Sequence, residues 1–409
     1  MRKVPTNWRV APLSQVCSVI MDGTHFSPSS TTGTFKYLTS KNIRFGRLAM
    51  DDLCFISEDE HRAIYARCPV KIGDLLLTKD GANTGNAALN TLDEEFSLLS
   101  SVAVLRAKPE LTSNEFMLQA LLSPTGQRLI QSEMSGQAIT RLTLEKIGGL
   151  RIAFPPLPEQ RKIADILTTW DEALTQLDAL IEAQERRKKA LMQQLLTGKT
   201  RFPAFSKKPW IKVRMSDVLQ RVFRPIDWSP DMALSLVSLR RRCGGLFRRP
   251  DVLGSDYKTQ DLHELHADDF LISKRQVAHG AWGLVTPEFA GSHVSKEYAI
   301  LVNTAPDKLH MPFLGWLSQL PRMIRLARVA STGVHIEKLI FDPEVFLRDS
   351  IRIPATLEEQ RHIAAILDTA DQQLTLLRTQ RTALDQQKRG LMQRLLTGKL
   401  RVKTTQTTP

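Results

Sequence analysis

The chain has 409 residues, of which 56 are basic and 43 acidic, giving a formal net charge of +13. This length predicts two or three domains, and the 42% of apolar residues indicate a globular chain. No run approaches the ~18 apolar residues of a membrane span, the start lacks the apolar segment of a signal peptide, and the four cysteines form no CxxC pair. We therefore expect a cytoplasmic protein without structural zinc. The charge favours a polyanionic partner, most simply nucleic acid, although an ordinary basic protein would have a similar charge.

An internal duplication organises the chain. The segment LPEQRKIADIL begins at Leu157 and LEEQRHIAAIL begins at Leu357, 200 residues later. Without a gap, 24 of 45 positions are identical between residues 157–201 and 357–401, and both copies contain LLTGK near their ends. Chance does not give such identity, so the chain consists of two related halves.

Each copy of the repeat is predicted to form one long helix. Prolines precede the first copy, and Thr356 with Glu359 has the form of a capping box at the second. Gly198 and Gly398 stand where a glycine ends a helix. About 40 residues at ~1.5 Å per residue give a helix of roughly 60 Å.

The apolar residues of both helices alternate by four and three, which is the period of a coiled-coil seam. The predicted seam residues are Ile163, Leu167, Trp170, Leu174, Leu177, Ile181, Leu191, Leu195, Ile363, Leu367, Leu374, Leu377, Leu384, Leu391 and Leu395. Four polar seam positions either set the register or lie at the edge of the seam: Gln184, Lys188, Arg381 and Lys388. We expect the two helices to pair with each other in antiparallel orientation; pairing with another chain is the alternative.

Two globular segments remain outside the helices. The expected boundaries are 1–155 and 202–354 for the globular domains, 156–201 and 355–401 for the helices, and 402–409 for a polar tail. Short β-rich runs separated by turn residues, with a helical stretch in each domain, predict mixed and strand-rich domains. The fold class expected is therefore α+β, with two such domains joined by an intramolecular antiparallel coiled coil with pseudo-twofold symmetry.

The two globular segments share weak similarities. LTSKNIRFGRL, from Leu38, resembles VSLRRRCGGL, from Val237, and GDLLLTK, from Gly73, resembles DDFLISK, from Asp268. The second pair of segments aligns two lysines, Lys79 and Lys274. Each half of the chain is thus one variable domain followed by one nearly constant helix.

Signatures of catalysis are not found in the sequence. It contains no GxxxxGK[ST] loop, no HExxH, no GxSxG and no NPPY-like run of an adenine methyltransferase. His263 and His266 are spaced for one helix face, but no third ligand is placed by the sequence, so two surface histidines are expected rather than a metal site. These absences favour a binding protein over an enzyme.

The repeated helices resemble those of the specificity (S) subunits of Type I restriction–modification enzymes. PLPEQRKIADIL from Pro156, LEEQRHIAAIL from Leu357 and the two LLTGK endings carry this resemblance. DGTHFSP, from Asp22, LTSKNIRFGRL and GDLLLTKDGANTG look like segments of that family's target-recognition domains. The second globular domain lacks a DGTH-like opening and has SLRRRCGG instead, so the resemblance is weaker there.

The resemblance implies a non-catalytic subunit that binds double-stranded DNA. Each target-recognition domain would read one half of a bipartite asymmetric target, and the paired helices would set the unread spacer. The family's S subunit docks two methyltransferase (modification) subunits, which methylate one adenine in each half-site, and restriction (translocase–nuclease) subunits can join the complex. S-adenosylmethionine, ATP and Mg²⁺ would belong to those partners, with no cofactor or metal held by this chain.

Candidate contacts follow from the residue types that read bases or neutralise phosphates at strand ends and polar turns. In the first domain these are Thr24, His25, Lys41, Asn42, Arg44, Lys79, Asn83, Gln137 and Arg141. In the second domain they are Arg240, Arg241, Arg242, Lys274, Arg275, His279 and His335. Identity across the duplication singles out Glu159, Gln160, Arg161, Glu359, Gln360 and Arg361, which either fasten each helix to its globular domain or bind the two partner subunits.

Two other functions are compatible with parts of this pattern. A coiled-coil scaffold or adaptor with two ligand-binding domains would explain the duplication without DNA. A self-sufficient nuclease would have to cleave DNA with a metal ion, although the sequence offers no paired carboxylates at usable spacing. Steep salt dependence of binding separates DNA recognition from the adaptor function.

Overall fold

The computed structural model describes residues 4–29, 32–134 and 141–403. The chain divides into two compact units, Met1–Ala179 with Arg378–Pro409, and Leu180–Leu377. Each unit therefore contains one globular domain together with part of each long helix. This differs from the expected boundaries, which treated the helices as separate segments. The ends of both long helices pack into the domain cores.

The first unit contains eleven described strands and five short helices. The strands are β1 (Arg9–Pro12), β2 (Cys17–Asp22), β3 (Phe35–Leu38), β4 (Ile43–Arg44), β5 (Arg47–Leu48), β6 (Cys54–Ile56), β7 (Leu75–Thr78), β8 (Ala87–Leu89), β9 (Phe96–Leu98), β10 (Val102–Ala107) and β11 (Arg151–Phe154). The helices are α1 (Leu13–Val16), α2 (Glu58–Tyr65), α3 (Asn114–Leu122), α4 (Pro124–Glu133) and α5 (Leu144–Gly149). The long helix α6 (Leu157–Leu195) follows.

The second globular domain contributes fourteen described strands and three short helices. The strands are β12 (Trp210–Arg214), β13 (Leu219–Val222), β14 (Ala233–Leu234), β15 (Val237–Leu239), β16 (Leu246–Arg248), β17 (Val252–Leu253), β18 (Leu262–Glu264), β19 (Phe270–Ser273), β20 (Trp282–Leu284), β21 (His293–Ser295), β22 (Tyr298–Asn303), β23 (Ser331–Thr332), β24 (Ile340–Phe341) and β25 (Ser350–Pro354). The helices are α7 (Met311–Leu317), α8 (Pro321–Val329) and α9 (Pro343–Leu347), and the second long helix is α10 (Leu357–Leu395).

The same sheet lies at the centre of both globular domains. Its strand order is β2-β10-β7-β8 in the first unit and β13-β22-β19-β20 in the second, and all its pairings are antiparallel. A second ladder, β1 with β11 and β12 with β25, also recurs. The first unit adds a three-stranded sheet, β6-β3-β9, that has no counterpart among the described residues of the second. The two halves therefore share the central four-stranded sheet and the two-stranded ladder, and they differ in their additional sheets.

Local sequence explains the central strands and the helix starts. All four residues of β7, LLLT, are buried because this strand lies inside its sheet with both faces covered. The hydroxyls of Ser57, Ser113 and Thr143 each accept a backbone N–H in the first turn of α2, α3 and α5. Such caps satisfy donors that would otherwise lack a partner at a helix start.

The ends of the long helices belong to the cores of the globular domains. In the first unit, Ile163 and Leu167 from α6 and Leu395 from α10 are buried in the core that surrounds the central sheet. In the second unit, Ile363 and Leu367 from α10 are buried in the corresponding core. Each helix end thus completes a domain core, and the boundaries between the two units fall within the long helices.

The two long helices pack together in antiparallel orientation, as the sequence predicts. In the first unit, the Lys388 ammonium pairs with Asp171, and Arg381 Nε lies 3.0 Å from Asp178 Oδ1. The residue number rises by seven on α6 and falls by seven on α10 between these pairs. In the second unit, Lys188 Nζ lies 2.5 Å from Asp371. The predicted apolar seam positions are buried or half-buried throughout.

The helix ends confirm one part of the prediction and correct another. The φ angles of Gly198 and Gly398 are both +70°, the left-handed conformation of a glycine that ends a helix. The capping box at the second start does not form. Thr356 Oγ1 is buried without a hydrogen-bond partner, and the Glu359 carboxylate accepts from Arg201 instead. Among the described residues, no helix is both long and apolar enough to cross a bilayer.

Candidate nucleic-acid interface

Polar residues meet at one end of the central sheet in the first unit. Lys79, directly after β7, places its ammonium 3.3 Å from Asp22 at the end of β2 and 3.2 Å from Asp80. Arg141 Nε lies 3.3 Å from the other oxygen of Asp80. Lys79 is only 2% exposed, and its ammonium forms ion pairs with both carboxylates. The ammonium braces two strand ends, and a contact of Lys79 with DNA stays a prediction.

Two more expected contacts lie inside the protein. Asn42 is 1% exposed, and its side chain accepts from the Thr39 N–H and donates to the carbonyls of Ala49 and Asp52. Thr24 is buried, and its hydroxyl donates to the Phe26 carbonyl. Both side chains therefore form hydrogen bonds with backbone groups of their own loops. Both side chains are thus bound within the protein, and their contact with DNA stays a prediction.

The remaining expected contacts of the first unit that the structure describes are exposed or half-buried. His25 is exposed and lies 3.5 Å from Asp22, and Arg44 and Arg141 are exposed. The Lys41 ammonium is 2.9 Å from Asp52, and that hydrogen bond raises the lysine pKa above its ordinary value. Asn83 is half-buried in the turn that follows Asp80. Gln137 lies outside the described residues.

The arginine run of the second unit forms the tip of a hairpin between β15 and β16. Arg240, Arg241 and Arg242 are all exposed. Arg240 donates to the Leu246 carbonyl at 3.1 Å and covers the Phe247 ring at 4.7 Å. Their expected role as cationic contacts is compatible with this exposure.

The backbone at this tip is strained. Arg242 has a φ of +58° and Cys243 a φ of +55°, a region that residues with a Cβ rarely occupy. Two backbone hydrogen bonds hold it: Arg242 N–H to the His279 carbonyl at 2.7 Å and Cys243 N–H to the Gly280 carbonyl at 2.8 Å. Non-glycine residues in this region concentrate at functional sites, because surrounding structure must maintain them.

Lys274 occupies the position in the second unit that Lys79 occupies in the first. Its N–H donates to the Glu297 carbonyl and its own carbonyl accepts from Phe341, as Lys79 is bound by Ser101 and Leu142. The surroundings differ in charge. Burial lowers the pKa of Lys274; Glu297 opposes this effect, while Arg221 and Arg275 add to it. The lysine after the third strand of the central sheet thus pairs with two carboxylates in the first unit, whereas in the second unit it lies among further basic side chains.

The other candidates of the second unit lie nearby or on exposed loops. Arg275 is exposed, with Nε 2.5 Å from Glu297, and His279 is half-buried in the loop that binds the hairpin tip. His335 is exposed. Sequence reasoning missed Arg221, whose guanidinium stacks at 4.3 Å on the exposed ring of Phe223. The signal was present as RVF, a cation and an aromatic two residues apart and hence on one face of a strand.

The residues proposed from identity across the duplication are mostly buried within the chain. Glu159 binds Arg401 with contacts of 2.6 and 2.8 Å, and Glu359 binds Arg201 in the same way. Glu159 is 3% exposed and Glu359 1% exposed. Both carboxylates therefore fasten a helix start to the segment that follows the other helix. Of the two expected roles, this geometry fits the fastening of each helix, and partner binding by Glu159 and Glu359 stays a prediction.

The glutamines at the same two helix starts are also internal. Gln160 accepts from the Thr112 hydroxyl at 2.7 Å and donates to the carbonyls of Leu111 and Pro155. Gln360 accepts from the His310 N–H at 2.8 Å and donates to two carbonyls, Lys308 and Pro354. Arg161 and Arg361 are exposed. Of the six residues, these two arginines alone stay available to a partner.

Metal ligation finds no support in the part of the chain that the structure describes. No group of three or more histidine, cysteine, aspartate or glutamate side chains is placed to hold a metal ion there. His263 is buried on β18 while His266 is exposed beyond its end. The pair lies on a strand and its following turn, not on one helix face.

Both units contain the same central sheet, and exposed basic side chains lie on loops of each unit. Residues 5–185 match the family model described as "Type I restriction modification DNA specificity domain". The chain is 22% identical over 440 residues to the "Type I restriction enzyme MjaVIII specificity subunit" of Methanocaldococcus jannaschii, covering 98% of this chain and 95% of that protein.

Two solved structures share the fold. The crystal structure of a Type I restriction–modification S subunit from M. genitalium gives a TM-score of 0.61 at 14% identity, covering 97% of both chains. A chain from a study of complex assembly and conformational transition in the type I R-M system gives 0.57 at 20% identity, covering 98% of this chain and all of that one. The chain is thus similar over nearly its whole length to specificity subunits of Type I restriction enzymes, and its first half matches the family model.

Proposed function

We propose that this chain is the specificity subunit of a Type I restriction–modification system and that each of its two units reads one half of a bipartite, asymmetric DNA target. The observation that carries the proposal is one strand order used twice with different loops and different charges at the same strand end. Because both units share one strand order, their loops occupy equivalent positions. Because those loops differ in sequence, the two units would prefer different bases. A symmetric target would need two alike surfaces.

The paired helices would set the unread spacer between the half-sites. Each helix has 39 residues, which corresponds to about 58 Å at ~1.5 Å per residue. This length is commensurate with more than one turn of duplex DNA, whose repeat is ~34–36 Å. Interhelical ion pairs such as Lys388–Asp171 support a stiff element, because they fix the register of the two helices.

The chain would act with partner subunits. Two methyltransferase subunits would dock at equivalent positions of the two halves, where Arg161 and Arg361 are exposed at the helix starts. Restriction subunits would complete the complex. The likeness to a chain studied for complex assembly in the type I R-M system supports this assignment. S-adenosylmethionine, ATP and Mg²⁺ would be bound by those partners.

Co-expression with the methyltransferase subunits tests the proposal. We expect co-purification at two methyltransferases per S subunit and adenine methylation at a single split sequence, read by methylation sequencing of the host. Affinity for a duplex carrying that sequence should fall linearly with the logarithm of salt concentration. A chain that binds no methyltransferase, or whose binding to a protein or small ligand ignores salt, contradicts the assignment and favours a scaffold.

A further inference from the structure

A short hairpin on the first unit presents an aromatic ring to solvent. Strands β4 and β5 are joined by Phe45 and Gly46, and the +83° φ of Gly46 makes this tight turn possible. Phe45 is 54% exposed. The hairpin is firmly seated, since the Gly46 N–H donates to the Ala87 carbonyl at 2.9 Å and Ile43 is fully buried. The ring is thus held out on a rigid support.

The two residues that flank the turn carry the same charge. Arg44 and Arg47 are direct cross-strand partners, and both are exposed. Among the described residues, neither forms an ion pair or a side-chain hydrogen bond. Like charges directly opposite each other weaken a two-stranded ladder, and a large apolar ring in water adds a second unfavourable feature. Nothing within the described chain compensates either of them.

Duplex DNA would compensate both at once. Phosphates neutralise exposed arginines, and an apolar side chain inserted between base steps leaves water while it unstacks them. Resting on the proposed DNA reading, we propose that the hairpin Ile43–Leu48 is a wedge. Phe45 enters the base stack of the first half-site, and Arg44 and Arg47 bind phosphates on either side of it. Phe45 was not among the residues that the sequence singled out.

The wedge is confined to one half-site. The corresponding hairpin of the second unit, β15–β16, has RRRCGG between its strands, and its nearest aromatic residue, Phe247, is covered by Arg240. That hairpin offers cations without a free ring. The two half-sites should therefore differ in the distortion of their DNA, with the unstacked step in the half read by the first unit.

The complex with its methyltransferase subunits, bound to a synthetic duplex carrying the methylated sequence, provides the test. Single bases of the first half-site are replaced by 2-aminopurine, whose fluorescence rises when it is unstacked. Base flipping by the methyltransferase gives a rise at the methylated adenine. We expect a second rise at another step, present in the wild type and in Phe45→Trp, and lost in Phe45→Ala.

The affinity for DNA and its salt dependence distinguish the contribution of the Phe45 ring from that of the two arginines. Phe45→Ala should weaken binding roughly ten-fold to a hundred-fold, typical for loss of one stacking contact, with an unchanged salt slope. The double substitution Arg44→Gln with Arg47→Gln should lower the slope by about two, one for each phosphate released. Phe55→Ala, which removes another partly exposed ring of the same unit, is the matched control and should change neither.

The outcomes discriminate the wedge from DNA reading as such. Specific binding and methylation by the wild type, with Phe45→Ala binding equally well and showing the same fluorescence pattern, would overturn the wedge alone. A wild-type complex that binds no specific duplex would overturn both proposals. Phe45 is exposed, so thermal unfolding of the variant should match the wild type and exclude misfolding as a cause.

Discussion

Arg242 holds a backbone conformation that favours glycine, at the tip of the hairpin between β15 and β16. Relief of this strain should raise the free energy of unfolding of Arg242→Gly by roughly 0.5–1 kcal/mol. Its neighbour Arg241 lacks a positive φ, so Arg241→Gly should lower stability by a similar amount through backbone entropy. Both variants remove one exposed charge, and each should lower the salt slope of DNA binding by about one. Chemical denaturation and salt titration of the two variants provide the measurement.

A more stable Arg242→Gly protein that binds DNA less well would identify the strain as the cost of presenting an arginine there. If instead both glycine variants lost stability equally, the left-handed conformation would carry no strain. If both retained the full salt slope, the hairpin would not face phosphates. The shared loss of charge makes the two variants mutual controls.

The two equivalent lysines give a second prediction at the residue scale. Lys79→Met leaves Asp22 and Asp80 without their buried counter-ion, so unfolding stability should fall by about 3–5 kcal/mol. Lys274→Met removes a cation whose pKa burial already lowers, so stability should change little while DNA affinity falls. Thermal unfolding and binding of the two variants are compared directly. Equal losses of stability would contradict the difference in environment.

For this pair of lysines, the sequence predicted the position in the fold but not the surrounding charges. Alignment of LTK with ISK correctly predicted that Lys79 and Lys274 hold the same place in the fold. It did not predict that Asp22, from a distant strand, neutralises only one of them. This ion pair forms because β2 and β7 lie on either side of β10 in the folded sheet, which no local sequence pattern records.

At the scale of elements, the seam of the long helices was the most predictable feature. Its period of four and three comes from helix geometry alone, and both helices begin and end where the proline, leucine and glycine positions indicated. The apparent capping box failed because Glu359 has a stronger partner in Arg201, a residue 158 positions away. A charged hydrogen bond outweighs a neutral cap, and the sequence spacing of Thr356 and Glu359 cannot reveal that competition.

The polar seam positions should contribute to stability through their partners. Lys388 is only 7% exposed and binds Asp171, which also accepts from Gln119. Lys388→Ala should therefore lower unfolding stability by about 1–3 kcal/mol, since it leaves a half-buried carboxylate unpaired. Arg389→Ala is the matched control on the same helix. Its pair with Asp385 lies within one turn of the same helix, with the arginine exposed, and should be worth about 0.3–0.5 kcal/mol.

A double-mutant cycle completes this test. If Lys388 acts through Asp171, the cost of Lys388→Ala should shrink when Asp171 is already Ala, and the coupling energy measures their interaction. An undiminished cost would mean that the lysine stem, packed along the seam, supplies the stability rather than its charge. Urea denaturation of the four proteins gives the required free energies.

At the scale of the whole molecule, a frame used twice predicts that spacing and base preference can be changed separately. Seven residues add two helical turns and preserve the seam, lengthening a helix by about 10 Å. One heptad inserted in α6 after Ala179 and another in α10 before Gln380 lie just beyond the Asp178–Arg381 pair on both helices. We expect the unread spacer to grow by about three base pairs, at ~3.4 Å each, while both half-site sequences stay the same.

The heptad in α6 alone is the control for this change. It leaves seven residues without partners on the other helix, so we expect loss of split-site methylation rather than a new spacing. Methylation sequencing of hosts carrying each variant with its methyltransferase subunits reads the outcome directly. A double insertion that altered either half-site sequence would refute the separation of reader and spacer, because α6 and α10 would then take part in base recognition. A double insertion with an unchanged spacer would show that the half-site distance is set by the partner subunits instead.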